Sequence, residues 1–193
     1  MRFILIILLP FNLLAQVSIP ELCWSTLHPF AAIRAKIIKK QCDVYLTQNP
    51  INLTGPSIGG KQDAFRHLFY MSVIASKIGT RKAGQLGRAH EKGNYQQWKK
   101  HRLEDAGVAD SLACIMDLRN NDSALKIATL NKKASISAYY QFSLKAIQEG
   151  RAWILLHNAK KQRLDCDSEI VVVTLPRKWF VKGCLVASSI PSP

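Results

Sequence analysis

Acidic side chains are scarce in this chain. Only 13 Asp and Glu stand against 27 Lys and Arg in 193 residues, a formal net charge of +14. A surface this basic favours anionic partners, such as anionic lipid head groups, cell-wall polymers or nucleic acid. No recognised nucleic-acid motif accompanies the charge, which leaves lipid, polymer or a protein partner ahead of nucleic acid. Internal repeats and low-complexity tracts are missing, so a repeat architecture is excluded. No serine or cysteine lies in an obvious nucleophile motif. The metalloprotease pattern H-E-x-x-H is absent too, because His90-Glu91 continues as Lys92-Gly93-Asn94. Long apolar runs are also lacking. The nearest case, residues 3–14, falls short of the about 20 residues that span a bilayer.

What that short run does resemble is a secretory leader. Met1-Arg2 supplies a positive start, residues 3–14 are almost wholly apolar, and Ala15-Gln16 offers a small residue for cleavage. Leu13 and Leu14 make the cleavage site imperfect, so an uncleaved N-terminal anchor is the alternative. The expectation is an exported protein, periplasmic or secreted, with no transmembrane helix once the leader is removed. What remains is of single-domain size, long enough to build a core without disulfides.

The chain has five cysteines. Export would place them where disulfides form. Cys23 and Cys42 flank one helical segment, and Cys166 and Cys184 flank a strand-like one. These two local pairs are expected, although four cysteines allow three pairings. Cys114 sits in the apolar stretch 112–116 and reads as a buried thiol rather than a nucleophile.

Residues 30–41 predict a helix with Phe30, Ile33, Ile37 and Ile38 inward and Arg34, Lys36, Lys39 and Lys40 outward. Residues 47–60 carry Asn49-Pro50, Gly55-Pro56 and Gly59-Gly60, strong breakers that predict a linker. Residues 61–78 form the clearest helix, with Ala64, Leu68, Met71, Ala75 and Ile78 as a stripe and Gly79 as the stop. A helix over 81–91 stopped by Gly93, another within 105–128 and a last over 135–149 follow. Tyr95 and Trp98 offer packing anchors in a polar stretch between them. Beyond Gly150, short apolar runs at 152–156, 170–174 and 178–182 predict a small antiparallel hairpin or three-stranded sheet. The expected fold is mainly α, a compact helical bundle with a small C-terminal antiparallel β element. The expected organisation is a signal peptide over 1–16, an N-terminal helix and linker over 17–60, and the helical domain with its hairpin over 61–193.

Three of these helices carry tight polar groups. Asp63, Arg66 and His67 share a face at i, i+3 and i+4. His90-Glu91 ends the next helix. Asp117 and Asn121 are one turn apart, with Asn120 beside them. Each group borders an apolar stripe, so packing would bring them together. Two histidines with carboxylates suit a divalent metal such as zinc, with His67, His90 and Asp117 as ligands. Alternatively, His67 held by Asp63 or Asp117 acts as a general base on water, with Arg66 and the asparagines stabilising an oxyanion. The third possibility is a buried hydrogen-bond network that only fixes helix packing.

The strings Asp63-Ala-Phe-Arg-His-Leu-Phe-Tyr, Ala89-His-Glu and Met116-Asp-Leu-Arg-Asn-Asn resemble the three signature blocks of a bacterial domain family of unknown function. That family occurs in small exported proteins and at the ends of larger toxin-like secreted proteins. The resemblance covers about residues 59–150. It implies a helical fold and a shared polar site at Asp63, Arg66, His67, His90, Glu91, Asp117, Asn120 and Asn121, but no reaction. Arg119 stands where the family often has histidine, and Leu68, Phe69 and Tyr70 replace alanine, tyrosine and tryptophan. A shorter likeness, Arg66-His67 followed by Phe69-Tyr70, is to prokaryotic phospholipase A2. There an aspartate follows the catalytic histidine, and here Leu68 does.

Two functional expectations result. One is an exported hydrolase using His67, Asp63, Arg66, Asp117 and Asn121 on a cell-envelope or phosphodiester substrate, with Glu91 and Asn120 in support. The other is a non-enzymatic envelope protein whose basic stretches, 34–40 and 98–102, bind anionic lipid, wall polymer or a protein partner.

Overall fold

The computed structural model describes residues 17–100, 110–172 and 178–190. Residues 1–16, expected to be a leader, and part of the basic stretch 98–102 lie outside them. The described residues fold into a bundle of six helices, one more than the pattern marks, with a two-stranded antiparallel sheet near the C-terminus; the compact bundle and the small antiparallel element are as expected. The elements are α1 (Ile19–Leu27), α2 (Pro29–Gln48), α3 (Lys61–Ile78), α4 (Thr80–Lys99), α5 (Ser111–Leu130), α6 (Ile136–Gln148), β1 (Trp153–Leu155) and β2 (Leu185–Ala187). Among the described residues no helix is long and apolar enough to cross a membrane.

The central element is α3, whose ends fall where the pattern places them. It packs against α2, α4, α5 and α6. Its buried residues therefore extend well beyond one stripe: Phe65, Phe69, Val73 and Ile74 join Ala64, Leu68, Met71 and Ala75. Phe65 and Phe69 stack on each other, and Tyr140 of α6 meets both edge-on. Gly79 ends the helix at φ +89°, a conformation that suits glycine.

Helix α2 turns out rotated from expectation. It buries Ala31, Ala35, Ile38 and Cys42. Phe30, Ile33 and Ile37 face outward at 87%, 61% and 55% exposure. Both sets recur at steps of three and four, so α2 carries two apolar stripes, one turned to the core and one to solvent. The smaller-residue stripe wins because alanine lets the backbone approach α3 closely.

Gly93 does not stop α4, which continues to Lys99. Its role is close approach instead. A Cβ at Gly93 would lie 2.3 Å from Ser18 Oγ, the hydroxyl that caps α1. Gly87, two turns earlier, admits Asn121 of α5 in the same way.

The C-terminal region also differs from the pattern. β1 pairs with residues 185–187, Trp153 opposite Ala187, rather than with 170–174 or 178–182. Ile170 makes only an isolated bridge to Leu164, and residues 173–177 lie outside the described ones. Trp179 packs on Tyr95 and Trp98 of α4 instead of joining a strand. That contact uses the two aromatic anchors of the polar stretch. The Cys166–Cys184 disulfide forms as expected, a bond that persists in oxidising compartments. The Cys23–Cys42 pair does not. Cys42 points into the core while Cys23 is exposed on α1, so the thiols face apart. Cys114 is a buried thiol.

Candidate functional site

The packing of α3, α4 and α5 brings four of the eight expected polar residues together. His67 comes from α3, Glu91 from α4, and Asp117 and Asn121 from α5. The His67 ring lies between the two α5 side chains. Its Nε2 is 3.1 Å from Asp117 Oδ1, and its Nδ1 is 3.3 Å from Asn121 Oδ1. The i, i+4 spacing on α5 sets this up, because both side chains rise on one face. Gly87 completes the arrangement. A Cβ there would meet Asn121 Nδ2 at 2.9 Å and Met71 Cε at 3.0 Å.

Glu91 is 5% exposed. Its Oε2 accepts a 3.1 Å bond from Asn94 Nδ2, while its Oε1 is buried without a hydrogen-bond partner among the described residues. One donor atom each from His67, Glu91 and Asp117 lie within 4.8 Å of one another. Burial pushes the His67 imidazole below its ordinary pKa, and neighbouring His90 adds to that. The carboxylates of Asp63 and Glu91 and the Asn121 contact oppose it. The ring keeps 20% side-chain exposure, so the cluster meets solvent through His67.

The other four expected residues hold neighbouring parts of the fold. Asp63 accepts from the Gly59 backbone N–H at 2.8 Å and pairs with Arg66 at 2.8 Å. Arg66 also donates to the Ser57 carbonyl. This pair fastens the 47–60 linker to the start of α3, and it is Asp117 that sits on the His67 ring. Asn120 donates to the Trp153 carbonyl and accepts from its N–H, at 2.9 and 2.8 Å, which clamps β1 to α5. His90 Nδ1 lies 3.0 Å from Glu21 Oε1 on α1. Burial raises the Glu21 pKa, but the contacts from His90 and Ser18 outweigh it and hold the carboxyl at about 2. Arg119, where the resembled blocks carry histidine, covers the Trp153 ring at 4.5 Å.

Asn94 is the site residue that the sequence reading missed. Taking Gly93 as a helix stop removed it from α4. On a continuous helix, Glu91 and Asn94 are i, i+3 neighbours, and that spacing was the available signal.

An imidazole and two carboxylates converging from three helices can hold a divalent cation or position a water for attack. Among the described residues two surface grooves stand apart from this cluster. One, about 740 Å³, lies between α2 and the α3–α4 junction. The other, about 590 Å³, lies between α4 and α5 near Gly84 and Leu125.

Fold and site together define a small helical-bundle domain with a buried His–carboxylate centre on three helices. The chain belongs to the family DUF6973, a domain of unknown function, whose model matches residues 22–151. The match contains α2 to α6 whole, all three sequence blocks and all four clustered residues, and it ends before β1. No curated protein and no solved structure matches the chain.

Proposed function

We propose that this protein is an exported hydrolase of a cell-envelope or phosphodiester substrate, with His67, Glu91, Asp117 and Asn121 as its centre. The observation that carries the reading is Glu91 Oε1, a buried carboxylate oxygen without a hydrogen-bond partner among the described residues, beside an imidazole and a second carboxylate. A network that served packing alone would pair its buried polar groups with one another. Leaving a charge unsatisfied costs stability, and such costs persist where chemistry needs them. The centre has two ways to activate a water. Either His67, oriented by Asp117, takes its proton, or a cation held by the three side chains lowers its pKa. The net charge of +14 favours an anionic substrate. The leader-like residues 3–14 and the Cys166–Cys184 bond support an exported location.

The test is turnover of a generic phosphodiester and of anionic phospholipid by the purified chain. His67→Ala and Asp117→Asn are expected to lower turnover at least about 100-fold while the helical circular dichroism signal is retained. Unchanged turnover in either folded variant would refute the assignment.

A second reading rests on the outward stripe of α2. Phe30, Ile33 and Ile37 are exposed, with Leu27 at the end of α1 exposed beside them in sequence, and the three α2 residues line the larger groove with Arg34, Lys77 and Lys82. Apolar side chains interleaved with cations suit the surface of an anionic bilayer. Sedimentation with phosphatidylglycerol vesicles, weakened by salt and by Phe30→Ser with Ile33→Ser, is the expected result. Equal binding to neutral vesicles, or no effect of the double substitution, would count against it.

A further inference from the structure

We propose that His67, Glu91 and Asp117 form a binding site for one divalent transition-metal cation, with Asn121 and Asn94 as its outer partners. The proposal concerns the centre of the hydrolase reading but rests on its geometry, not on any reaction.

The three donor atoms already lie within 4.8 Å of one another, and His67 Nε2 and Asp117 Oδ1 are 3.1 Å apart. A cation about 2.1 Å from each nitrogen and oxygen ligand keeps its ligands roughly 3–3.5 Å apart. A modest movement of the Glu91 side chain closes the set. Two buried carboxylates from different helices stand beside the imidazole, a donor set of the kind that holds a divalent cation. Glu91 Oε1 is the second, independent sign. It is buried on a residue that is 5% exposed, and no hydrogen-bonding group among the described residues satisfies it. A buried anion in that state calls for a positive partner.

The surroundings orient the ligands as a metal site requires. Asn121 Oδ1 can accept the Nδ1–H of His67, which leaves the Nε2 lone pair for the cation. Asn94 occupies Glu91 Oε2, which leaves Oε1 for the cation. One imidazole with two carboxylates suits zinc, manganese or ferrous iron better than a thiolate-seeking metal. Three protein ligands leave at least one position for a water, the nucleophile that hydrolysis needs. His90 is not in the set. Its Nδ1 is 3.0 Å from Glu21, and its contact holds α1 to α4.

The experiment uses the full purified chain, stripped with chelator and titrated separately with Zn²⁺ and Mn²⁺ by calorimetry. One equivalent of at least one of these ions is expected to bind. Glu91→Gln and Asp117→Asn should each weaken it at least about 10-fold, and Asn121→Ala about 10- to 100-fold. His90→Ala should leave affinity within about twofold of the parent. Glu91→Gln preserves shape, so its folding can be checked by circular dichroism alongside. Absence of binding by both ions overturns the proposal. So does binding that ignores Glu91→Gln, or that falls with His90→Ala as far as with Glu91→Gln. Stoichiometric, Glu91-dependent metal with no turnover would keep the metal site and discard the hydrolase reading.

Discussion

Glu91 shows how much one side chain's partners can say. Its neighbour His90 shares the same three-residue block, yet the two diverge by one helical step. Glu91 enters the space between α3 and α5, and His90 reaches α1. That divergence makes Glu21 a residue with a measurable acid response. Its carboxyl is held at about 2, below its ordinary 4.5, through His90 and Ser18 and against the effect of burial. A depressed folded-state pKa contributes stability that is fully present above the unfolded value and is lost as pH falls through the folded one. Docking of α1 should therefore weaken between about pH 4.5 and 2. Trp24 on α1 is buried and gives a fluorescence signal for it. Glu21→Gln should flatten that part of the titration, and an unaltered curve would contradict the role given to Glu21. The thiols offer a second residue-scale check. Burial pushes Cys42 up to about 12, with Asp43 adding to the rise and Lys39 opposing it. A maleimide probe at neutral pH should label exposed Cys23 first and leave Cys42 untouched until the chain unfolds. Labelling of Cys42 at the rate of Cys23 would contradict the core packing.

At the scale of elements, the pattern disclosed which segments are helices better than how those helices face. The 61–78 periodicity marks α3 closely because nearly every turn of it is buried, so burial and periodicity agree. The stripe of α2 was legible as a helix but not as a rotation, because Phe30, Ile33 and Ile37 repeat as regularly as Ala31, Ala35 and Ile38. Gly93 was misleading for a related reason. Glycine ends helices by conformation, but it also admits a neighbouring helix by having no Cβ, and the sequence does not distinguish the two uses. The polar groups of α3 and α5 were legible as site candidates. Which members converge was not, because Asp63 and Asn120 are anchored by backbone groups of Gly59 and Trp153 that are remote in pattern. Asn120→Ala should cost about 2 kcal/mol, since it strands a backbone donor and acceptor of Trp153. Gly87→Ala should destabilise by about 1–3 kcal/mol and displace Asn121 from the His67 ring. Denaturant unfolding checks both, and a neutral Gly87→Ala would show that α4 and α5 have room to spare.

For the whole molecule, two features lie outside the central cluster. The Cys166–Cys184 bond closes a loop with a sequence separation of 18 next to the small sheet. By loop-closure entropy such a bond contributes about 3 kcal/mol, so reduction should lower the melting temperature without abolishing the helical bundle. The outward stripe of α2 places exposed aromatic and aliphatic side chains beside lysines on a strongly basic protein. The sheet register was the least legible part. Residues 178–182 contain good strand formers, but Trp179 gains more by burying its ring on Tyr95 and Trp98 than by pairing in an exposed strand.

The proposed centre implies that the His67–Glu91–Asp117 cluster is kept for function at a cost to the fold. The measurement that tests it most directly is the melting temperature of Glu91→Gln in the presence of chelator. Glutamine keeps the shape and the bond from Asn94 but removes a buried, unpaired charge beside Asp117. Glu91→Gln should be at least as stable as the parent, with a melting temperature raised by a few degrees, on the order of 1 kcal/mol. A fall of comparable size would mean that Glu91 holds the helices together and that the cluster is a packing network.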